Sequence, residues 1–376
     1  MRRFAMSFAI LLGATAVPAV AEQAPITGDR PFASKPFKAV EVASFESPWA
    51  LAFLPDGRML VTEKAGRLLM LSPDGKTRTA VSGVPAVDSS GQGALGDVVA
   101  HPDFAANQLV YFSYSAPGSP NGVVLARGKL AGGLDAARLE DVTTIYRAHP
   151  LKSGGHYAGR IAFSPDGHLF FAMGERQNFS PAQEPDGVLG KVVRLTLDGK
   201  PAPGNPLATK GFDPAVWSYG HRNPLGLAFD LEGRLWDAEM GPKGGDEVNL
   251  VLPGRNYGWP IVSNGSHYDG KPIPDHVTRP EFEAPMVSWN PSISPSSLIV
   301  YSGKLFPEWR GKALIGGLSA QTLILVGLGE DSAREEARYD MGKRIRAVVE
   351  GPEGAVYVLE DKAGGRLLKL TPAGKP

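Results

Sequence analysis

Ile161-Ala-Phe-Ser-Pro-Asp-Gly167, with His168 to Glu175 behind it, sets the pattern from which the fold is read. An apolar-Ala-Phe stretch runs into Pro-Asp-Gly, and alternation such as Leu169 and Phe171 resumes beyond. Pro presets φ and Gly accepts positive φ, so the tripeptide forms a tight turn. Alternation on both sides marks strands, and the unit is a hairpin. It recurs as Leu51-Ala-Phe-Leu-Pro-Asp-Gly57 with Arg58 to Glu63, where Met59 and Val61 alternate. It returns as Leu227-Ala-Phe-Asp-Leu-Glu-Gly233 with Arg234 to Glu239, and as Val348-Val-Glu-Gly-Pro-Glu-Gly354 with Ala355 to Glu360. Two diverged copies fill the gaps: Val98-Val-Ala-His-Pro-Asp-Phe104 with Leu109 to Tyr114, and Leu305-Phe-Pro-Glu-Trp-Arg-Gly311 with Ala313 to Gly317.

Six copies at intervals of roughly 45 to 75 residues suit an all-β, six-bladed β-propeller of four-stranded antiparallel blades. Two packed β-sandwiches are the alternative, and six evenly spread hairpins fit them less well. Ring closure needs the N-terminal strand to join the last blade, and Phe37 to Phe45, with Val40 and Val42, is placed for that. The segment 256–285, rich in Pro, Gly, Asn and His, reads as an irregular loop excursion over the active face. The best helix candidate is a short turn from Ser332 to Arg338.

The chain opens Met1-Arg-Arg-Phe, runs apolar to Val17 and ends that run Val17-Pro-Ala-Val-Ala21. This is the pattern of a secretory signal peptide cleaved after Ala21, giving a periplasmic or secreted chain starting at Glu22. The run is short for a membrane anchor, and no later segment reads as a span. Residues 22–376 then form a single propeller domain. Removing Arg2 and Arg3 leaves 37 basic against 39 acidic residues, which gives no electrostatic footprint for nucleic acid. With no cysteine, thiol nucleophiles, iron–sulfur clusters and zinc-thiolate sites are excluded, and a large core must replace disulfides. There is no Gly-x-Gly-x-x-Gly within a βαβ unit, so no nicotinamide is expected.

The chemistry concentrates in Ser218-Tyr-Gly-His-Arg-Asn-Pro224, Glu239-Met-Gly-Pro-Lys-Gly-Gly-Asp-Glu-Val-Asn249 and Asn256-Tyr-Gly-Trp-Pro260. Loops at one end of a rigid β scaffold are where function gathers. They hold a cation, Arg222, amides Asn223 and Asn249, acids Glu239, Asp246 and Glu247, and backbone carbonyls at Gly241-Pro242 able to meet a hard cation. His156, in Gly154-Gly-His-Tyr-Ala-Gly-Arg160, is either a general base or a solvated loop histidine. Gln92, between Gly91 and Gly93, is either a ligand contact or part of a plain turn. Arg344 and Arg346 share one face of a strand by its period of two. Asp97 receives no role, and His221 is a weaker candidate that orients its neighbours.

In order and spacing these motifs closely resemble the soluble quinone-dependent aldose (glucose-type) sugar dehydrogenases, and the resemblance covers about Pro48 to Leu370. It implies a six-bladed propeller using pyrroloquinoline quinone and Ca2+ to oxidise aldose sugars at C1 to the lactone, with an external electron acceptor completing the cycle. His156-Tyr-Ala-Gly-Arg160 matches the family's base motif, so His156 inherits the role of taking the anomeric proton. Gln92, Arg222, Asn223, Arg344 and Arg346 inherit cofactor binding. Paired guanidinium forks suit the carboxylates of a tricarboxylate. Gly241 and Pro242 inherit the calcium carbonyls, Glu247 and the Tyr257 carbonyl a second calcium site, and Trp289 an aromatic place at the substrate mouth, a core tryptophan being the other reading.

Two departures stand out. Glucose-specialised members carry Asp just before the base, where this chain has Gly155, so a near-reference imidazole pKa is expected. They also reach the cofactor with a Lys where Ser319 stands, which points to the aldose-type branch. The competing readings are a non-catalytic glycan- or protein-binding propeller and a calcium-dependent lactonase. The protein is expected as a monomer or homodimer.

Overall fold

The computed structural model describes residues 25–118 and 120–374. Residues 1–21, expected as a signal peptide, lie outside the described residues. Six small sheets follow one another along the chain, each with four antiparallel strands, and the fourth gains a fifth strand where Ile26–Thr27 pairs parallel with Val287–Trp289. The first contains Pro48–Phe53, Met59–Glu63, Arg67–Leu71 and Arg78–Ala80. The next four begin at the strands Leu95–Ala100, Ala158–Phe163, Pro224–Phe229 and Pro295–Val300. Each leading strand packs against the leading strand of the following blade, and Ile345–Glu350 of the last returns to Pro48–Phe53 of the first. The ring is a six-bladed propeller, and the two-sandwich alternative is excluded.

The hairpin turns form for the reason the sequence gives. Gly57, Gly167, Gly233 and Gly354 all take positive φ, between 81° and 91°. Phe37–Glu46 closes the ring by pairing antiparallel with Ala363–Pro372, from Phe37 opposite Pro372 to Glu46 opposite Ala363. This leaves the last blade built from both chain ends. Apolar residues from neighbouring blades meet between the sheets. Phe45, Met59, Val61 and Leu69 pack with Tyr357, Leu359 and Leu367, for example. Each fully buried large side chain contributes about 1.5–3 kcal/mol by leaving water.

One buried cation joins several blades near the axis. Arg160 donates from Nε to the Leu225 carbonyl at 2.6 Å and from Nη2 to the Ser296 carbonyl at 2.5 Å. It pairs with Asp97 at 3.2 Å and lies 4.1 Å over the Trp49 ring. Asp97, left without a role by sequence, is thus a partner inside the ring.

Two details differ from expectation. Ala333–Asp340, where a short helix was expected, is the outer strand of the fifth blade, paired with Thr322–Leu328. The excursion 256–285 is mostly irregular, yet Gly265–Ser266 pairs with Lys243–Gly244 and His276–Thr278 forms a 3-10 turn. Among the described residues no helix is long and apolar enough to cross a membrane.

Candidate active site

His156 sits at the start of the third blade with φ 46° and is buried. Its backbone N–H donates to Gln92 Oε1 at 2.8 Å, and Gln92 N–H donates to the Gly154 carbonyl at 2.7 Å. The ring Nδ1 lies 2.5 Å from Glu175 Oε1. Glu175 is itself fixed, because Oε2 accepts the N–H groups of Asn178 at 2.6 Å and Phe179 at 2.8 Å. Burial holds the imidazole pKa below its ordinary value, with Glu175 opposing and Arg222 adding to the shift. The expectation of a near-reference midpoint is therefore corrected. A carboxylate does orient this ring, although it comes from a different strand end and not from position 155. A side chain at Gly155 would require the exposed Gln177 amide to move aside.

Arg176 explains why the loop holds its shape. It donates from Nε to the Gly155 carbonyl at 2.9 Å and from Nη2 to the Ser153 carbonyl at 2.5 Å and Asn121 Oδ1 at 2.9 Å. Its guanidinium lies 3.7 Å over the Tyr157 ring. Neither Glu175 nor Arg176 was singled out from sequence, since nothing in Met173-Gly-Glu-Arg176 marks a long-range partner.

Arg222 and Asn223 enter the fourth blade beside this loop. Glu239 Oε2 accepts both backbone N–H groups, at 2.6 and 3.2 Å. The Arg222 side chain donates from Nη1 to the Met240 carbonyl at 3.0 Å and from Nη2 to the Tyr268 hydroxyl at 3.3 Å. Its guanidinium also faces Trp259, 5.1 Å from the ring centre. Arg222 Nε and Asn223 Oδ1 are buried without a hydrogen-bond partner.

Beneath them lies a charged triad. His221 Nδ1 is 3.0 Å from Glu239 Oε1 and 3.2 Å from Asp237 Oδ2, and its ring stacks on Tyr257 at 4.5 Å. Burial works against the charge, but the two carboxylates outweigh it and push the imidazole up to about 10. His221 is therefore the resident cation of the triad, and it steadies Glu239 under the Arg222-Asn223 backbone. Among the described residues this is the one cluster of three His, Asp or Glu groups close enough to share an ion.

The expected metal residues come close together. Asp246 accepts the Gly241 N–H at 2.9 Å and the Ser294 N–H at 2.7 Å, tying down the Gly241-Pro242 turn. Burial raises the Asp246 pKa to about 6. Gly241, Glu239, Glu247 and Tyr257 line one small cavity under Trp259, while Pro242 lines the neighbouring cleft. Beside Glu247, the buried His276 has no hydrogen-bond partner at either ring nitrogen, its nearest charged contact being Nε2 at 3.6 Å from Glu247 Oε1.

Arg344 and Arg346 face a larger cavity of about 450 Å³, which also takes in Gln92, Asn223, Trp49 and Gly159. Both arginines grip one acid. Asp361 accepts from Arg344 Nε at 2.9 Å and Arg346 Nε at 3.0 Å. A second cleft of about 390 Å³ is lined by His156, Glu175, Arg222, Phe179, Trp259 and Tyr268. Trp289 is in neither. It is fully buried in the core between the fourth and fifth blades, and its Nε1 donates to Glu335 Oε2 at 2.6 Å. The mouth expectation for Trp289 is corrected, and the aromatics at the cleft are Phe179, Trp259 and Tyr268.

The family model "Glucose / Sorbosone dehydrogenase" matches residues 45–369. This chain belongs to the glucose/sorbosone dehydrogenase family. It is similar to aldose sugar dehydrogenase YliI of Escherichia coli (strain K12), 39% identical over 87% of this chain and 90% of that protein. The apo crystal structure of the soluble aldose sugar dehydrogenase from Escherichia coli superposes with a TM-score of 0.83 at 38% identity, covering 89% of this chain and 99% of that one. The PQQ-bound form of aldose sugar dehydrogenase from Streptomyces coelicolor gives a TM-score of 0.73 at 29% identity, covering 91% and 99%.

Proposed function

We propose that this family member is a pyrroloquinoline quinone-dependent aldose dehydrogenase that oxidises C1 of an aldose to the lactone. The observation that carries the reading is the pair of adjoining cavities. One presents His156 and Arg222, and the other presents the paired arginines with Gln92 and Asn223. The names of the relatives, an aldose sugar dehydrogenase and a PQQ-bound one, support it.

The residues present suit the two cofactors. Buried Arg222 Nε and Asn223 Oδ1 lack partners, a cost in the free protein that a polar ligand removes. Gln92, Arg222, Asn223, Arg344 and Arg346 would hold the quinone. The carbonyls of Gly241 and Pro242 would hold calcium beside it, and Glu247 with the Tyr257 carbonyl a second ion, an all-oxygen set of the kind calcium prefers. When bound, the quinone supplies a carbonyl able to take up a hydride, and calcium supplies Lewis-acid polarisation of it.

The chain's own part is proton handling and positioning. Glu175 holds Nδ1 of His156, which fixes the tautomer and leaves Nε2 for the sugar. Nε2 takes the proton of the C1 hydroxyl while C1 gives up its hydrogen with the electron pair. The sugar thus loses two electrons and two hydrogens and becomes the lactone. Arg222 stabilises developing negative charge. The aromatic faces of Phe179, Trp259 and Tyr268 suit the apolar faces of a pyranose.

The observations do not favour the competing readings. A lactonase would need acids and amides around one central ion, whereas the Arg160–Asp97 pair occupies the ring interior and His221 supplies the charge in the carboxylate triad. A binding propeller has no use for His156 fixed by a carboxylate. On this reading the chain is exported by residues 1–21 and passes electrons to an external acceptor.

The test is reconstitution. Protein freed of metal is incubated with calcium and pyrroloquinoline quinone, then offered several aldoses with a redox dye. Dye reduction that needs protein, quinone and sugar together is expected. Lactone hydrolysis without quinone, or sugar binding without turnover, would favour the alternatives.

A further inference from the structure

The two C-terminal arginines do not by themselves balance a tricarboxylate. Asp361 bonds both of them, so the trio carries a net charge of +1. Ser319, where the glucose-specialised pattern has a lysine, does not make good the difference. Its hydroxyl is engaged with Ser294 Oγ at 2.8 Å and the Ser292 carbonyl at 3.2 Å, and it lies outside the cavity lining.

Two lysines from elsewhere in the ring line the same cavity. Lys64 stands on the turn between the second and third strands of the first blade. Its backbone N–H donates to the Ser47 carbonyl at 2.9 Å and its carbonyl accepts from Leu95 N–H at 3.2 Å. Its ammonium donates to the Gly91 carbonyl at 2.7 Å, immediately before Gln92. An ammonium has three donors, and Gly91 uses one. Lys362 follows Asp361 in the last blade, with φ 74°. The charged residues of the lining are therefore Lys64, Arg344, Arg346, Lys362 and Asp361, four cations and one anion, a net +3.

We propose that Lys64 and Lys362 complete, with Arg344 and Arg346, a cationic cradle for the carboxylates of the quinone, Lys64 replacing the cation missing at Ser319. This inference rests on the quinone-dependent reading above. Lys64 has a second consequence, because its grip on Gly91 sets the loop from which Gln92 holds the His156 backbone. The cofactor cradle and the base loop thus share one residue.

The test measures binding, independent of turnover. Cofactor-free protein with excess calcium is titrated with pyrroloquinoline quinone by calorimetry at several salt concentrations. Lys64→Gln is expected to weaken binding about tenfold or more, the equivalent of one charge-assisted hydrogen bond. Lys64→Arg should restore it. Lys362→Gln, at an exposed position where folding is safe, should weaken binding less, and each Gln variant should flatten the salt dependence. A strut-only role predicts otherwise, since Gln can still donate to Gly91. Wild-type affinity and salt slope in both Gln variants would overturn the cradle while leaving the quinone-dependent reading intact. Failure of the wild-type protein to bind quinone would overturn both.

Discussion

Nδ1 of His156 lies 2.5 Å from Oε1 of Glu175, nineteen residues further along the chain, and both groups are buried. The pair divides the imidazole's two nitrogens between orientation and chemistry. Burial lowers the ring's pKa and Glu175 partly restores it. Only the neutral ring accepts a proton, so turnover should fall as pH drops through a midpoint below the reference of about 6.5. Removing a group that raises the pKa must lower it further. Glu175→Gln should therefore move the acid limb of the kcat profile to lower pH and reduce its plateau about tenfold or more, since an unfixed tautomer is less often the productive one. An acid limb that moves upward in this variant would contradict the assignment.

Quinone affinity should depend on the paired arginines. Replacing both with Ala removes charged hydrogen bonds of about 1.5–3 kcal/mol each. It also strands Asp361 in a half-buried position, so the cleaner variant adds Asp361→Asn. Titration of this triple variant should show binding weakened by several kcal/mol. Retention of wild-type affinity would remove the arginines from the cofactor site.

The fold was largely legible, because its signal is local and repeated. Pro-Asp-Gly fixes a turn wherever it occurs, and Gly167 and Gly57 adopt the predicted φ without help from distant residues. Ala333–Asp340 was misread for the opposite reason. Ala-Arg-Glu-Glu-Ala-Arg favours a helix locally, but pairing to Thr322–Leu328 and burial of Glu335 against Trp289 and Arg338 decide the outcome. At the site, His156 and Arg222 stand in recognisable motifs. The residues that hold the site in place, Glu175 at His156, Arg176 on the Ser153-Gly155 loop and Asp361 between Arg344 and Arg346, are ordinary charged residues whose partners are brought near only by the ring. Trp289 shows the same limit, since an aromatic beside a loop motif does not reveal which way its ring turns.

Calcium should act in two separable ways. Chelation should abolish activity, and it should lower the melting temperature, because an ion that binds only the folded state stabilises it by mass action. Glu247→Gln should diminish the calcium-dependent rise in melting temperature while leaving quinone affinity near wild type. Full activity after exhaustive chelation, with no metal found by elemental analysis, would exclude the calcium sites.

The cleft aromatics and the core tryptophan should separate cleanly. Tyr268 is largely exposed and bonds Arg222, so Tyr268→Ala should raise KM for aldoses several-fold with little loss of stability. Trp289→Ala should cost about 3–5 kcal/mol of stability, the usual penalty for emptying a buried aromatic site. Denaturant unfolding and steady-state kinetics on both variants check this. A stable Trp289→Ala protein with a raised KM would return Trp289 to the substrate mouth.

The most direct test of the account is a single-turnover experiment on His156→Ala. The variant and wild type are loaded with calcium and pyrroloquinoline quinone, their occupancy is matched by titration, and reduction of the bound quinone by excess aldose is followed in a stopped-flow spectrometer. A general base typically contributes about 10²–10⁴-fold, so the variant should bind quinone normally and be reduced at least about a hundredfold more slowly. Normal occupancy with reduction at the wild-type rate would show that His156 is not the base, and the mechanism built on its pairing with Glu175 would fall.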